Sequence, residues 1–162
     1  MKKLDFYGIG PNIGIVLIPW LALTIVLSCI SSRFNFYAER NSGMAISGAV
    51  LLVFGLIFYF SSVKLLLNGL KAGKLVTKGT FSLCQNPLYM SFILFLIPAI
   101  ALLLNSWLVV TSSLVGFILL KMYVKNEYQM LEEFFGDEYL KYKNETPEFI
   151  PLPVKKWLKR FD

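Results

Sequence analysis

Histidine does not occur anywhere in this chain of 162 residues. Its absence excludes His-ligated iron or zinc, Ser-His and Cys-His nucleophilic pairs, and imidazole acid-base chemistry. Cysteine occurs only twice, as Cys29 and Cys84, far apart and outside any Cys-x-x-Cys pair, so disulfide staples and thiolate metal sites have little support. Charge is scarce as well. Charged residues make up 16% of the chain against 56% hydrophobic, with a mean hydropathy of +0.63, well outside the range of an ordinary soluble domain. The composition is that of one integral membrane domain, too short to carry a separate soluble catalytic unit. Repeats, low-complexity segments and coiled-coil heptads are also missing.

Long windows without any charge take the place of these features. The first lies between Asp5 and Arg33, with Ile13 to Ile30 long enough to cross a hydrocarbon core of about 30 Å. It follows Met1-Lys2-Lys3, but it is too long for a signal peptide and lacks a small-residue cleavage site, so a retained span is expected. The second window runs from Asn41 to Val63, with an apolar body from Met44 to Phe60 in which Gly48 and Gly55 allow close helix approach. The third, Gly79 to Leu120, divides at Asn105-Ser106 into Pro87 to Leu104 and Trp107 to Val124, a helical hairpin. The expected fold is therefore an all-α integral membrane bundle of about four transmembrane helices. A fifth is open if the stretch from Lys64 to Lys74 dips into the interface.

With four spans, Lys2, Lys3, Lys64, Lys71, Lys74, Lys78, Lys121 and Lys125 fall on one side and only Arg33 and Arg40 on the other, which predicts cytoplasmic termini. The net charge of +6 then belongs to loops facing anionic lipid headgroups, and nucleic acid is not an expected partner. Beyond Lys125, Met130, Leu131, Phe134 and Phe135 form the stripe of an amphipathic helix ending at Gly136. Pro151 to Phe161 mixes basic and aromatic residues as an interfacial anchor does.

Three polar features share the cytoplasmic side. The loop Gly73 to Phe81 is too apolar for a freely solvated connector. In Gln85-Asn86-Pro87-Leu88-Tyr89, Pro87 stands at a first helical position and Asn86 at the N-cap, so a positive helix end suited to a carboxylate or phosphate faces the cytosol. Glu127 lies just past the fourth span, unfavourably placed if the helix ends there and simply solvated if it continues; Tyr123, four residues earlier, shares its face. Other signals are weaker. Gly8-Ile9-Gly10 resembles the start of a dinucleotide fingerprint but follows no strand, Pro98 is expected to kink the third span, and Glu132, Glu133, Asp137 and Glu138 read as a solvated helix face rather than a metal cluster.

Taken in order, Lys74-Leu-Val-Thr-Lys-Gly-Thr-Phe81, Gln85-Asn-Pro-Leu-Tyr89, the hairpin, Glu127, and Leu131-Glu-Glu-Phe-Phe-Gly-Asp-Glu-Tyr139-Leu-Lys-Tyr142 with Phe149-Ile-Pro151 resemble the isoprenylcysteine carboxyl methyltransferase family. The likeness covers about residues 71 to 151, and the first two spans carry no motif. It implies a membrane methyltransferase of a bacterial or archaeal cytoplasmic membrane, with S-adenosylmethionine held in a cytosol-facing pocket of the C-terminal half and a lipophilic or lipidated carboxylate as acceptor. Carried over by position, cofactor contacts fall on Gly73, Lys74, Leu75, Val76, Phe81, Asn86, Pro87, Leu88, Tyr89 and Glu127. The helix start at Asn86-Pro87 would suit the cofactor's carboxylate, and Glu127 its ammonium or ribose hydroxyls.

This chain departs from the pattern on the acceptor side. Tyr123 occupies the place of an arginine that the family assigns to the substrate carboxylate, and tyrosine is no guanidinium clamp; it is the acceptor-side candidate, with no catalytic group assigned. Gln85-Asn86 replaces an Arg-His pair, Phe81 a tyrosine, Tyr128 an acid and Glu148 an arginine. Related alternatives are a phospholipid or amine N-methyltransferase, an NADPH-dependent reductase resembling the steroid reductases, and a membrane interaction protein without catalysis.

Overall fold

The computed structural model describes residues 8–38 and 41–149. The basic start Met1-Lys2-Lys3, Arg40 and the segment from Pro151 to Phe161 lie outside the described residues. Within them all regular structure is helical, joined by short loops, with an isolated β-bridge between Asn35 and Ser106. Three helices are long and apolar enough to cross a membrane: α1 (Gly10–Ile30), α2 (Ser42–Ala72) and α5 (Trp107–Phe135). A shorter apolar helix, Pro87–Leu103, lies between the last two. It comprises α3 (Pro87–Met90), a π-helical segment (Ser91–Leu96) and α4 (Ile97–Leu103). The final element is α6 (Asp137–Glu145).

The helix ends follow local chemistry more than hydropathy. The sequence places the end of the second span at Phe60, where the apolar run gives way to serine and lysine. The helix instead continues to Ala72, about 46 Å in all at 1.5 Å per residue. Lysine and serine lower hydropathy without breaking the backbone ladder, and the stop comes at Gly73, whose φ of 62° lets Gly73 and Lys74 N–H return to Leu70 and Gly69 carbonyls. The same reasoning corrects the tail. Met130 to Phe135 are the last turns of α5 and not a separate helix; Gly136, with φ 53°, makes the break before α6. Pro98 acts one turn upstream. Proline gives no N–H to the turn before it, and the chain widens there so that Ile97 N–H bonds the Phe92 carbonyl five residues back.

Helix α1 packs on α5, α5 on α4, and α4 with the π-segment on α2. Small and hydroxylic residues make these contacts, as expected where lipid supplies no hydrophobic drive between helices. A Cβ at Gly55 would meet Phe95 Cβ at 2.8 Å, and one at Gly48 would meet the Ala99 carbonyl at 3.1 Å. Thr24 and Ser112 hydroxyls lie 3.2 Å apart, and those of Ser28 and Ser106 2.6 Å apart. The outward faces carry exposed Ile15, Ile18, Val50, Ile57 and Leu114, the surface a bilayer would cover.

The hairpin expected at Asn105-Ser106 is present, and Asn105 supports it with φ 53° and a buried side chain. Its Nδ2 donates to the Tyr37 carbonyl at 2.8 Å, its Oδ1 accepts from Tyr37 N–H, and its own carbonyl accepts from Phe36 N–H. One residue thus joins the α4–α5 turn to the α1–α2 connection. Asn105→Ala should cost about 2–4 kcal/mol of stability, since two side-chain hydrogen bonds are lost and alanine is strained at this left-handed backbone position; thermal unfolding in detergent measures this.

Candidate functional site

At the opposite end of the bundle, the start of α1 and the end of α2 flank a cavity of about 420 Å³. The connection after α2 folds back to form one wall. The Ser62 hydroxyl meets that of Thr80 at 2.9 Å, and Gly79 sits so close to Leu65 that a Cβ would lie 2.6 Å from its Cδ1. The loop is therefore pinned, as its apolar composition requires.

The second wall is Gln85 to Tyr89, held by the tail that follows α6. Gln85 N–H donates to the Pro147 carbonyl at 2.9 Å, and its Nε2 donates to the carbonyls of Lys143 and Thr146. Asn86 Nδ2 donates to the Tyr128 hydroxyl and, at 3.0 Å, to the Glu148 carbonyl. Tyr142 closes the arrangement by donating from its hydroxyl to the Phe81 carbonyl at 2.7 Å. Burial raises the Tyr142 phenol above its ordinary range and pushes the Cys84 thiol up to about 11. Cys84 is thus a packed, protonated residue and not a nucleophile.

Two local expectations change here. Asn86 caps nothing: its side chain makes no bond to the first turn of α3, because tail and α5 groups claim its amide in a buried setting. With no cap and no N–H on Pro87, the first helical bond is Met90 N–H to Asn86 O, and the N–H groups of Leu88 and Tyr89 have no hydrogen-bond partner among the described residues. Glu127 is not at a helix end either. α5 runs eight residues further, to Phe135, so Glu127 lies mid-helix, half-buried, with the Tyr89 hydroxyl 3.4 Å from its Oε2.

Gly73, Lys74, Leu75, Val76, Phe81, Asn86, Pro87, Leu88, Tyr89 and Glu127 all line this one cavity. Tyr123 does not. It is half-buried and packs beside the core of Ile13, Met90 and Leu120, so nothing in its position makes it a clamp for a ligand in the cavity. Tyr123→Phe should leave affinity for any cavity ligand within about twofold, because an interaction never made costs nothing to lose; a parallel titration of both proteins checks it.

The sequence reading missed the walls supplied by the N-terminal half: Gly8, Gly10 and Pro11 before and within α1, and Tyr59, Val63, Leu66 and Leu70 on α2. The α2 set recurs at i, i+4, i+7 and i+11, a helical stripe visible in the sequence but indistinguishable there from a lipid or packing face. Among the described residues the charged groups lining the cavity are Lys74 and Glu127, against aromatic walls from Tyr59, Phe81, Tyr89, Phe92, Phe135 and Tyr142. Among the described residues no group of three His, Cys, Asp or Glu side chains could hold a metal. Such a lining can enclose a mostly apolar ligand carrying a cationic group toward Glu127 and an acceptor toward unpaired backbone N–H groups. Comparison with family models, curated proteins and solved structures finds no match for this chain.

Proposed function

We propose that this protein is an integral membrane methyltransferase that uses S-adenosylmethionine and acts on a lipophilic acceptor, as the likeness to the isoprenylcysteine carboxyl methyltransferases implies. The observation that carries the proposal is convergence: the ten residues that the likeness assigns to cofactor, drawn from a loop, a helix start and a distant helix, line a single cavity. The cavity also reaches Tyr59 and Phe92, about 20 Å from the end of α2 and more than a turn into the third apolar helix, a depth at which a lipophilic acceptor would enter from the bilayer.

The membrane arrangement follows the same proposal. Pro87–Leu103 is a further crossing, third in chain order and about 25 Å long, short enough to favour local thinning. The cavity end then faces the cytosol: Lys64, Lys71, Lys74, Lys78, Lys121 and Lys125 belong to it, and Arg33 to the other face.

When bound, S-adenosylmethionine supplies a methyl group on a cationic sulfur. Methyl transfer from such a group needs in-line placement more than an acid or base, which a site without histidine can provide. Glu127 would hold the donor's ammonium or ribose hydroxyls, and the Leu88 and Tyr89 N–H groups its carboxylate. The aromatic walls exclude water, so charge lost as an anionic acceptor meets a sulfonium is not opposed by hydration. Lys74 is the only cation lining the cavity among the described residues, a thin provision for the extra phosphate of NADPH.

Incubation of the protein in proteoliposomes with methyl-labelled S-adenosylmethionine and membrane lipid extract tests the proposal. Label should pass to the organic phase, and Glu127→Gln should weaken donor affinity by about 1–3 kcal/mol, the cost of a lost bond to a charged group. Transfer at the rate of protein-free vesicles, with unchanged affinity in Glu127→Gln, would reject it.

A further inference from the structure

The cavity is deeper on one side than on the other. Toward α1 and α5 it ends at Pro11 and Glu127, and beyond them Ile13, Met90, Leu120 and Val124 pack as closed core. Toward α2 it continues from Leu70 past Leu66 and Val63 to Tyr59, about 16 Å along the helix axis. Among the described residues, no α2 residue before Tyr59 and no residue of the third apolar helix after Phe92 lines it. The four α2 side chains along this arm carry no charge.

Aromatic rings end the arm. Phe92 and Phe95, both on the π-segment, meet α2 edge-on: Phe92 lies against Tyr59 with ring centroids 5.2 Å apart, and Phe95 against Phe54 and Phe58 at 5.2 and 5.6 Å. Such edge-to-face pairs hold both rings in place. One turn below Tyr59, a Cβ at Gly55 would lie 2.8 Å from Phe95 Cβ and 2.9 Å from Leu96 Cδ2, so α2 and the π-segment touch there with no room for a chain between them. Along α2 the space is thus open at Val63, bounded by a ring pair at Tyr59 and shut at Gly55. Phe60, 63% exposed, stacks on Tyr59, so the ring pair stands between the cavity and the apolar surface a bilayer would cover.

We propose that Tyr59 and Phe92 are the specificity-determining floor of this arm: they stop the hydrocarbon chain of a lipid lying along α2, and so fix the chain length that brings its polar end level with a donor held at Glu127. The lining chooses the occupant. Leu70, Leu66 and Val63 offer apolar contact to a hydrocarbon chain and no partner to a charged group, whose burial there would go uncompensated. A chain too long for the arm holds its polar end away from the donor, and one too short leaves it unsupported. Either misplaces the reacting atom, and in-line transfer is sensitive to such displacement. The selection of an acceptor rests on the methyltransferase reading; the floor itself does not.

Photolabelling of the full chain in proteoliposomes with hexadecanol carrying a diazirine near its terminal carbon tests the floor without any methyl donor, the adducts being mapped by peptide mass spectrometry. Label should collect on Tyr59 and Phe92 and be displaced by excess plain hexadecanol, whereas label on the exposed Val50 and Ile57 should persist. In Tyr59→Ala the displaceable label should move a turn deeper, to Phe95 and Leu96; Tyr59→Phe, which keeps the ring, should leave it in place. Displaceable label on Phe95 or Leu96 in the parent protein, or none on Tyr59 and Phe92, would overturn the floor. With methyl-labelled S-adenosylmethionine and membrane lipid extract, Tyr59→Ala should shift the labelled products toward longer chains than the parent makes. An unchanged product profile would overturn the selection. No transfer by either protein would reject the methyltransferase reading and the selection with it, while the photolabelling still decides the floor.

Discussion

Asn86→Leu is expected to lower the unfolding free energy by about 2–4 kcal/mol and to free α6 and the segment after it for proteolysis. Asn86 is 4% exposed, and its amide is the common partner of the Tyr128 hydroxyl and the Glu148 carbonyl. Leucine fills similar space but donates nothing, leaving the buried Tyr128 hydroxyl and the part-buried Glu148 carbonyl without their donor; an unsatisfied buried group costs about 1–3 kcal/mol, and the more accessible carbonyl less. Thermal unfolding in detergent, with limited trypsin digestion at Lys141 and Lys143, reads both effects. A loss below about 1 kcal/mol would mean that the remaining ties, from Gln85 to Lys143, Thr146 and Pro147, hold the tail without Asn86.

Gly69→Val should do comparable damage by another route. A Cβ at Gly69 would lie 2.1 Å from Val76 Cγ2 and 3.1 Å from the Lys74 carbonyl, so any side chain drives Lys74 to Val76 away from α2. Those residues line the cavity, and overpacking of this kind costs about 1–3 kcal/mol or more. Stability should fall by about that amount and donor affinity by at least about tenfold. The companion change Val76→Gly in the same chain should recover part of both, the sign of a direct steric coupling. Gly73→Ala is the contrast: nothing lies within 4 Å of a Cβ there, but φ is +62°, so only about 1 kcal/mol of backbone strain is expected. Equal losses in the two variants would argue that backbone conformation, not the Gly69–Val76 contact, sets the loop.

Much of the fold was readable because apolar runs and turn chemistry act locally. Pro87 and Trp107 begin helices where the sequence puts them, and Asn105 turns the hairpin. Hydropathy misleads where a boundary depends on the backbone: the apolar body of the second span ends at Phe60 although the helix stops only at Gly73, and Met130 to Phe135 read as a tail helix although Gly136 is the first break after Trp107. The site shows the same division. Its C-terminal residues carry a recognisable order in the chain, and all of them meet in the cavity. Asn86 was given a capping role from its neighbour Pro87, but groups 42 and 62 residues away claim its amide. Tyr123 shares the Glu127 stripe by its i, i+4 spacing and takes an acceptor-side place by motif position, but its packing turns it to the core. Gly8 to Pro11 were unreadable as a wall for the same reason: their partner Glu127 comes from the far end of the chain, and no local pattern records that meeting.

The cavity is proposed to hold S-adenosylmethionine, and calorimetric titration of the protein in nanodiscs with S-adenosylmethionine, its demethylated product and NADPH in parallel tests this most directly. Saturable binding of the first two and none of NADPH is expected. Binding of NADPH alone would contradict it in favour of a reductase, and no binding by any of the three would leave a membrane protein whose cavity serves something other than methyl transfer.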